Sequence, residues 1–436
     1  MTKIRSHAQL GLKSTLAVLL AASFQAAEAL EYALFAGYEG QYTSNASRVP
    51  EDESEEEDVI HRPSAALMAS HETDRLSFTG DYQVIRRIYE DDNFETENVV
   101  EGSAEVQWSM VPDRFSVFAR NQRRETKVDV AEEQVPDNLQ ITKRTSAGST
   151  LRLDSIANHF MSFTYEYSET GTSDSDVDSD RQSVSAAYTI PISGIDQLEI
   201  AGVRTEVEFD SDLIPEYEAT TGTIQFSRQT SRNNALFRLG YSSFDRDLSR
   251  DTADGIVGAF QYSREMSDQT TLAISYTQDF QDSALDAAPG FIDADSEFIG
   301  DTDIAEVYER QELAFNFGTT LARNRFDFAL IATSQDYEDV ERDTERVGGR
   351  IEIGRQLSRS LSGSLDGAYW QYDFEDRGRE DDEYQIGINI DWEATRRFDV
   401  SFGVAYFERS FGSQLAKTKE WSASIAVDVL LLGESQ

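Results

Sequence analysis

The sequence predicts an all-β fold: a transmembrane, antiparallel, up-and-down β-barrel of about twenty strands, within a range of roughly sixteen to twenty. Three observations carry this. Apolar residues recur at every second position over stretches of about ten residues, the length of a tilted membrane strand. A tight polar turn and a longer acidic connection join these stretches in strict alternation. The pattern runs from just behind an amino-terminal apolar segment almost to the end of the 436-residue chain. A wall with one face in lipid and the other in water needs this pattern, and a soluble sandwich does not sustain it so uniformly.

The first residues have the layout of a secretory signal. Lys3, Arg5 and Lys13 supply a positive start, Leu16–Phe24 an apolar core, and Ala27-Glu28-Ala29 a small-residue cleavage site. Residues 1–29 are therefore expected to be a signal peptide, and 30–436 a single barrel domain with no Pro-rich or Gly/Ser-rich linker. Behind the signal there is no apolar run of about eighteen residues, which rules out helical spans. The mean hydropathy of -0.51 suits a barrel, because only alternate residues meet lipid. These features place the chain in a bacterial outer membrane.

The strands show period two directly. Leu76, Phe78, Gly80, Tyr82 and Val84 alternate with Ser77, Thr79, Asp81 and Gln83. Leu272, Ile274 and Tyr276 alternate with Ala273 and Ser275, and Leu313, Phe315 and Phe317 with Ala314 and Asn316. Tyr384, Ile386, Ile388, Ile390 and Trp392 alternate with Gln385, Gly387, Asn389 and Asp391. Phe398, Val400, Phe402, Val404 and Tyr406 follow the same rule.

Tight turns are expected near Glu72–Arg75, Val111–Arg114, Ser155–His159, Ser193–Gln197, Thr230–Asn234, Met266–Gln269, Ala322–Asn324, Ser358–Ser360 and Ala394–Arg397. Between them lie longer connections: Ser44–Asp58, Glu90–Glu97, Val128–Asn138, Gly171–Asp180, Asp210–Glu218, Asp245–Asp254, Asp282–Asp303, Asp336–Glu345, Glu375–Asp382 and Ser410–Lys419. Short turns belong to the periplasmic side and long loops to the outside, so both termini fall in the periplasm. Trp108, Tyr165, Tyr188, Tyr241, Tyr262, Tyr276, Tyr369, Trp392, Tyr406 and Trp421 are candidates for aromatic girdles at the two interfaces. The last strand spans about Glu420–Leu432, and the chain ends without the terminal aromatic residue common in such barrels.

Composition narrows the chemistry. Cysteine is absent, which removes disulfides, thiolate catalysis and Cys-based metal sites. The formal net charge of -42 opposes nucleic-acid binding, which needs clustered Lys and Arg. The four histidines (His7, His61, His71 and His159) sit in no H-E-x-x-H pattern, and neither G-x-S-x-G nor a P-loop occurs. No catalytic residues are assigned, and the expectation is that the chain is not an enzyme.

The acidic loops are the most conspicuous chemical feature. Glu51–Asp58 is nearly all carboxylate, and Asp174, Asp176, Asp178 and Asp180 alternate in another loop. Hard cations take several carboxylate oxygens, so Ca²⁺ or Mg²⁺ is a candidate ligand of the second loop. That loop lacks the Gly at the sixth position (Ser179) and the Glu at the twelfth (Ser185) of an EF-hand. The plainer expectation is a hydrated outer surface, bridged by divalent cations to lipopolysaccharide, with no cofactor.

If apolar residues face lipid, the lumen receives Asp81, Glu105, Arg120, Arg124, Arg152, Arg204, Arg238, Arg350, Glu352, Asp366, Asn389 and Asp391. Such side chains either line a hydrated channel or pair across strands and fill the interior. About twenty strands make a barrel too wide for side chains alone to fill, which favours a channel. Asp282–Asp303 is the candidate for a plugging loop.

The first mature segment, Gly37-Tyr38-Glu39-Gly40-Gln41-Tyr42-Thr43-Ser44-Asn45, is followed by an acidic loop, the Pro-containing strand Arg62–Leu67, and the strand Leu76–Tyr89. In these features the chain resembles a family of outer-membrane β-barrel porins, in the branch that accompanies exopolysaccharide and PEP-CTERM (exosortase) systems. The resemblance implies passage or export of polysaccharide, with polysaccharide-export components as partners beside outer-membrane lipid and the barrel-assembly machinery. It assigns no functional residue. A non-conducting attachment barrel with cation- or polysaccharide-binding loops is the alternative.

Overall fold

The computed structural model describes residues 30–433 apart from 52–53, 92, 130–131, 156–157, 174–177, 211–215, 247–252, 283–306, 338–342 and 413–415. Residues 1–29, the expected signal, lie outside the described residues, as does nearly all of the expected plug. Twenty strands follow one another: β1 (Leu30–Thr43), β2 (Asp58–Glu72), β3 (Leu76–Tyr89), β4 (Glu97–Val111), β5 (Phe115–Lys127), β6 (Leu139–Asp154), β7 (Phe160–Thr172), β8 (Ser179–Pro191), β9 (Asp196–Phe209), β10 (Tyr217–Gln229), β11 (Asn233–Arg246), β12 (Ala253–Ser267), β13 (Thr270–Asp282), β14 (Val307–Leu321), β15 (Asn324–Tyr337), β16 (Thr344–Gln356), β17 (Leu361–Phe374), β18 (Arg379–Thr395), β19 (Phe398–Phe411) and β20 (Ala416–Leu432). Each pairs antiparallel with the next, and β1 pairs with β20, so the sheet closes. The strand number is even, and both ends of the wall lie on the side of the short turns.

Six of these short turns open on a Ser or Thr whose hydroxyl accepts a backbone N–H two or three residues on. In three of them Thr73 Oγ1 accepts from Leu76 at 2.9 Å, Ser193 Oγ from Asp196 at 3.0 Å, and Thr230 Oγ1 from Asn233 at 2.9 Å. Ser267, Ser358 and Thr395 do the same for Gln269, Ser360 and Arg397. The hydroxyl takes the place of a backbone acceptor and holds the reversal tight.

Cross-strand partners share a face, so the register carries one face around the whole ring. Starting from Leu34 opposite Leu67, the outward set passes through Tyr82, Ile224, Leu239, Leu330, Ile351, Ile388 and Val404, and returns through Val427 to Tyr38 without a change of side. Most large exposed apolar side chains belong to this set. All ten aromatic residues expected in the girdles lie on it as well. On β18, Tyr384 and Trp392 bracket Ile386, Ile388 and Ile390. Eight residues span about 27 Å along a strand. At a tilt of about 40° this is roughly 20 Å of height, close to the apolar band of an outer-membrane barrel.

On β3–β6 the outward face carries a polar strip. The Tyr82 hydroxyl donates to Asn121 Oδ1 at 2.5 Å, and Asn121 Nδ2 donates to Thr145 Oγ1 at 2.7 Å. Gly102, between Tyr82 and the strand that carries Asn121, has φ +138, and a Cβ there would approach the Asp81 carbonyl oxygen to 2.1 Å.

Two connections differ from expectation. Glu375–Asp382 and Ser410–Lys419 are not long loops; strand pairing continues to Arg379 and Ala416. In the first of these, Asp381 sits on β18 with its carboxylate bound by the inward Arg409 at 2.9 Å. Cysteine is absent, so single cysteines report topology cleanly. On intact cells a membrane-impermeant maleimide is expected to label Glu55→Cys and not Ser193→Cys; the reverse pattern contradicts the orientation.

Candidate functional site: the lumen

A circular ring of twenty strands about 4.8 Å apart, tilted by about 40°, has a backbone diameter of roughly 40 Å. The register sends Asp81, Glu105, Arg120, Arg124, Arg152, Arg238, Arg350, Glu352, Asp366, Asn389 and Asp391 to the inner face of this ring. Several form pairs along the wall. Arg120 Nε lies 3.1 Å from Glu105 Oε1, Ser103 Oγ donates to Asp81 at 2.6 Å, and Asn389 Nδ2 donates to Asp366 at 3.0 Å. Arg152 stands 3.8 Å over the Phe160 ring, and Arg238 lies 3.8 Å from Asp279.

Arg204 does not join them. It shares the outward face with Ile200 and Ile224, at the outer edge of the apolar belt, and pairs with Glu218 at 2.6 Å and Glu206 at 3.2 Å. The misplacement has a physical source. On β9 the inward positions Val203 and Val207 are apolar too, so period two alone does not choose the side. Val207 is buried in a cluster with Phe209, Tyr217, Phe244 and Val257.

Exposure divides the lumen into two levels. Towards the short turns and middle, inward side chains are open to solvent. Arg120 and Glu105 keep 45 % and 42 % of their side-chain surface, and Asp81, Arg350, Asn389 and Asp391 are likewise exposed. A lumen filled by its own side chains would bury them. Towards the long loops the inner wall is apolar and buried: Tyr89, Tyr217, Phe244, Tyr308, Tyr372 and Phe374 are all at or below 6 % exposure. Arg346 stacks 3.7 Å over Trp370, and Tyr372 and Phe374 lie parallel.

Loops reach into this outer level. Arg48 of the first loop stands 4.4 Å over the inward ring of Phe407 and bonds Glu420 at 2.7 Å; Glu51 pairs with Lys419 at 2.7 Å. Part of the acidic run is thus tied down, and Asp58, at 1 % exposure, accepts the N–H groups of Glu90 and Asp91.

The loop between β5 and β6 goes further. Arg377 Nη2 lies 2.5 Å from Asp129 and Nη1 3.1 Å from Glu132, and Arg409 donates to the Glu132 carbonyl at 3.4 Å. Along the wall β20 and β1–β4 separate Arg409 from β5, and β18 and β19 lie between as well for Arg377, so the loop crosses the mouth. Asn138 holds its base: its Nδ2 donates to the carbonyls of Asp129 and Glu133, and its Oδ1 accepts the Asp129 N–H at 2.8 Å. Behind the contact, Arg409 and Asp381 are 2 % and 0 % exposed and joined at 2.9 Å. Arg379 Nε also stands 3.0 Å from Asp381 Oδ1, without hydrogen-bond geometry. The sequence reading counted this loop as one outer connection among ten. Its signals were the Pro136-Asp137-Asn138 turn and the two arginines Arg377 and Arg379 set in an acidic stretch.

The acidic Asp174–Asp180 loop is only partly described. Asp174 and Asp176 lie outside the described residues. Asp178 Oδ1 accepts the Thr172 N–H at 3.2 Å, and Asp180 sits on β8 on the outward face. Among the described residues no three His, Cys, Asp or Glu side chains gather to hold a metal. His61 bonds the Tyr38 hydroxyl at 2.6 Å and His159 that of Tyr188 at 2.8 Å.

The comparisons with known proteins follow from this wall. Residues 308–430, from β14 to β20, match the family model described as "Putative beta-barrel porin 2". The chain is an antiparallel β-barrel of the bacterial outer membrane, and this carboxyl-terminal part of it is similar to that porin family. No curated protein matches it in sequence. Among solved structures it is similar to the siderophore receptor PirA from Pseudomonas aeruginosa (11% identity, TM-score 0.47, 91% of this chain and 81% of that one). It is also similar to the unliganded ferric citrate transporter FecA (9%, 0.49, 92% and 79%). A third is Pseudomonas aeruginosa OccK2 (OpdF) in complex with glucuronate (8%, 0.41, 92% and 98%).

Arg377→Ala removes two anchors of the crossing loop and is expected to raise single-channel conductance, with Arg377→Asp/Asp129→Arg restoring it; an unchanged conductance contradicts the anchoring. Burial pushes the Glu133 carboxyl above the usual carboxylate range, with Arg409 and Arg48 opposing the shift. The seated loop therefore binds this proton more tightly than a free loop would. Its contribution to seating is present at low pH and lost as pH rises through the raised pKa. Glu133→Gln is expected to keep the loop seated at alkaline pH, where the native loop loosens; a conductance above the native value there contradicts this.

Proposed function

We propose that the chain is a water-filled channel for polar solutes, narrowed at its outer mouth by the loop between β5 and β6. The observation that carries this is the exposure of charged and polar side chains that point inward, Arg120, Glu105, Asp81, Arg350, Asn389 and Asp391. Passive diffusion needs no catalytic group, only a closed wall, a hydrated bore and a constriction that sets the size limit. Mixed charge along the bore favours hydrated, hydroxylated or weakly charged solutes over strongly anionic or cationic ones.

Export of an exopolysaccharide is the finer reading. It is supported by the resemblance of the first mature segment and by a hollow section wide enough for an extended glycan. The buried outer level and crossing loop favour a second reading, a sealed barrel that serves attachment through its acidic loops. Single-channel recording of the purified barrel in planar bilayers separates the two. Stepwise conductance is expected, and a barrel that inserts without current overturns the channel. For export, deletion is expected to abolish surface polysaccharide while its synthesis continues; persistent surface polysaccharide contradicts it.

Within the channel, Arg350→Ala is expected to shift ion selectivity towards cations, since it removes a positive charge from the bore. Arg204→Ala, on the outer face, is expected to leave selectivity unchanged. Reversal potentials in a salt gradient report both.

A further inference from the structure

A recess of about 640 Å³ is set into the inner wall between β13 and β18. The register explains it. At one level Gly318, Asp327, Glu352, Asp366 and Gly387 stand side by side across five strands. At the next level towards the long loops come Ala329, Arg350, Ala368 and Gln385. Small residues flank the long polar ones, so the wall is thin where the side chains need room. Gly387 shows this most plainly: a Cβ there would come within 2.6 Å of the Asp366 carboxylate, which leans across it to accept from Asn389.

The polar groups in the recess are all planar: carboxylates, the carboxamides of Asn316 and Gln385, and guanidiniums. Three neighbouring carboxylates oppose an anion. Arg350, together with Arg325 held 2.5 Å from Asp327, opposes a simple cation. A neutral solute that carries both O–H donors and oxygen acceptors suits both signs, and planar groups bind adjacent hydroxyls through two hydrogen bonds at once. The volume lies within the range of small-molecule sites.

We propose that this recess binds a neutral saccharide, with Glu352 and Asp366 accepting from its hydroxyls and Gln385 and Arg350 donating to its oxygens. The proposal rests on the reading of the lumen as hollow, because the ligand reaches the recess from the lumen. It goes further by giving the lumen a binding site and a solute class.

The test is saturation-transfer NMR on the full barrel in detergent, with maltotriose as the neutral probe and trigalacturonate as the anionic one. Maltotriose is expected to show saturation transfer. Glu352→Gln/Asp366→Asn, which keeps side-chain volume, is expected to weaken its binding about tenfold, the effect of losing charge-assisted hydrogen bonds. Arg204→Ala is expected to leave it unchanged. Absence of maltotriose binding, stronger binding of trigalacturonate, or an unaffected double variant with native strand content overturns the proposal. Conductance of the same preparation keeps the two readings apart. A conducting barrel that ignores maltotriose loses the site and keeps the channel. A non-conducting barrel that binds it loses the channel and keeps the site.

Discussion

The pairing of the first strand with the last is the interaction on which the rest of the structure depends. From Phe35 opposite Leu430 to Thr43 opposite Ser422, β1 and β20 share a continuous antiparallel register. Without it two strand edges would face hydrocarbon, where each unpaired N–H or C=O costs several kcal/mol. Closure also forces consistency. The inward face must return to itself after twenty strands, and it does, with Asp428 opposite both Gly37 and Asp399. A single slipped register anywhere in the ring would turn charged residues towards lipid.

Closure creates a second constraint, a bore wider than side chains can fill. The chain meets it differently at its two levels. In the middle and towards the short turns, small residues such as Gly318, Ala329 and Ala368 alternate with charged ones, and the charged side chains stay exposed. Towards the outside, arginines stack on aromatic rings and loops fold inward onto them. The buried Arg409–Asp381 pair illustrates the energetics. Such a pair adds little over an apolar filling, but removing one partner typically costs about 3–5 kcal/mol because the other charge is stranded. Its Arg409 also donates to the Glu132 carbonyl of the crossing loop.

Much of the fold was legible because membrane strands obey a strict rule. Tyr384–Trp392 alternates without exception, and the turns opened by Ser193 and Thr230 are punctuated by small polar residues. The strand number and the outward placement of the ten aromatic residues followed from that rule. It failed where a second environment imposed apolar residues on the inner face. Val203 and Val207 look like a lipid face, yet Val207 packs on the inner wall, and Arg204 was assigned to the wrong side for that reason. The start of β18 was missed because Asp381 is acidic like the loops, while Arg409 holds it on the strand; the start of β20 was missed because Ala416–Lys419 lacks the apolar alternation, although it pairs with β19. The crossing of the mouth by the β5–β6 loop was not legible, since it depends on Arg377 and Arg409 lying across the barrel, about 250 residues away in sequence.

The most direct test of this two-faced, hollow wall is a spin-label scan of positions 384–392 in the membrane-inserted barrel. A chain free of cysteine allows one label at a time. Collision with dissolved oxygen reports lipid, and collision with a water-soluble nickel chelate reports water. Even positions, from Tyr384 to Trp392, are predicted to favour oxygen, and the odd positions Gln385, Gly387, Asn389 and Asp391 to favour nickel. Odd positions shielded from both reagents would show a filled interior and contradict the hollow lumen; an inverted alternation would contradict the register itself.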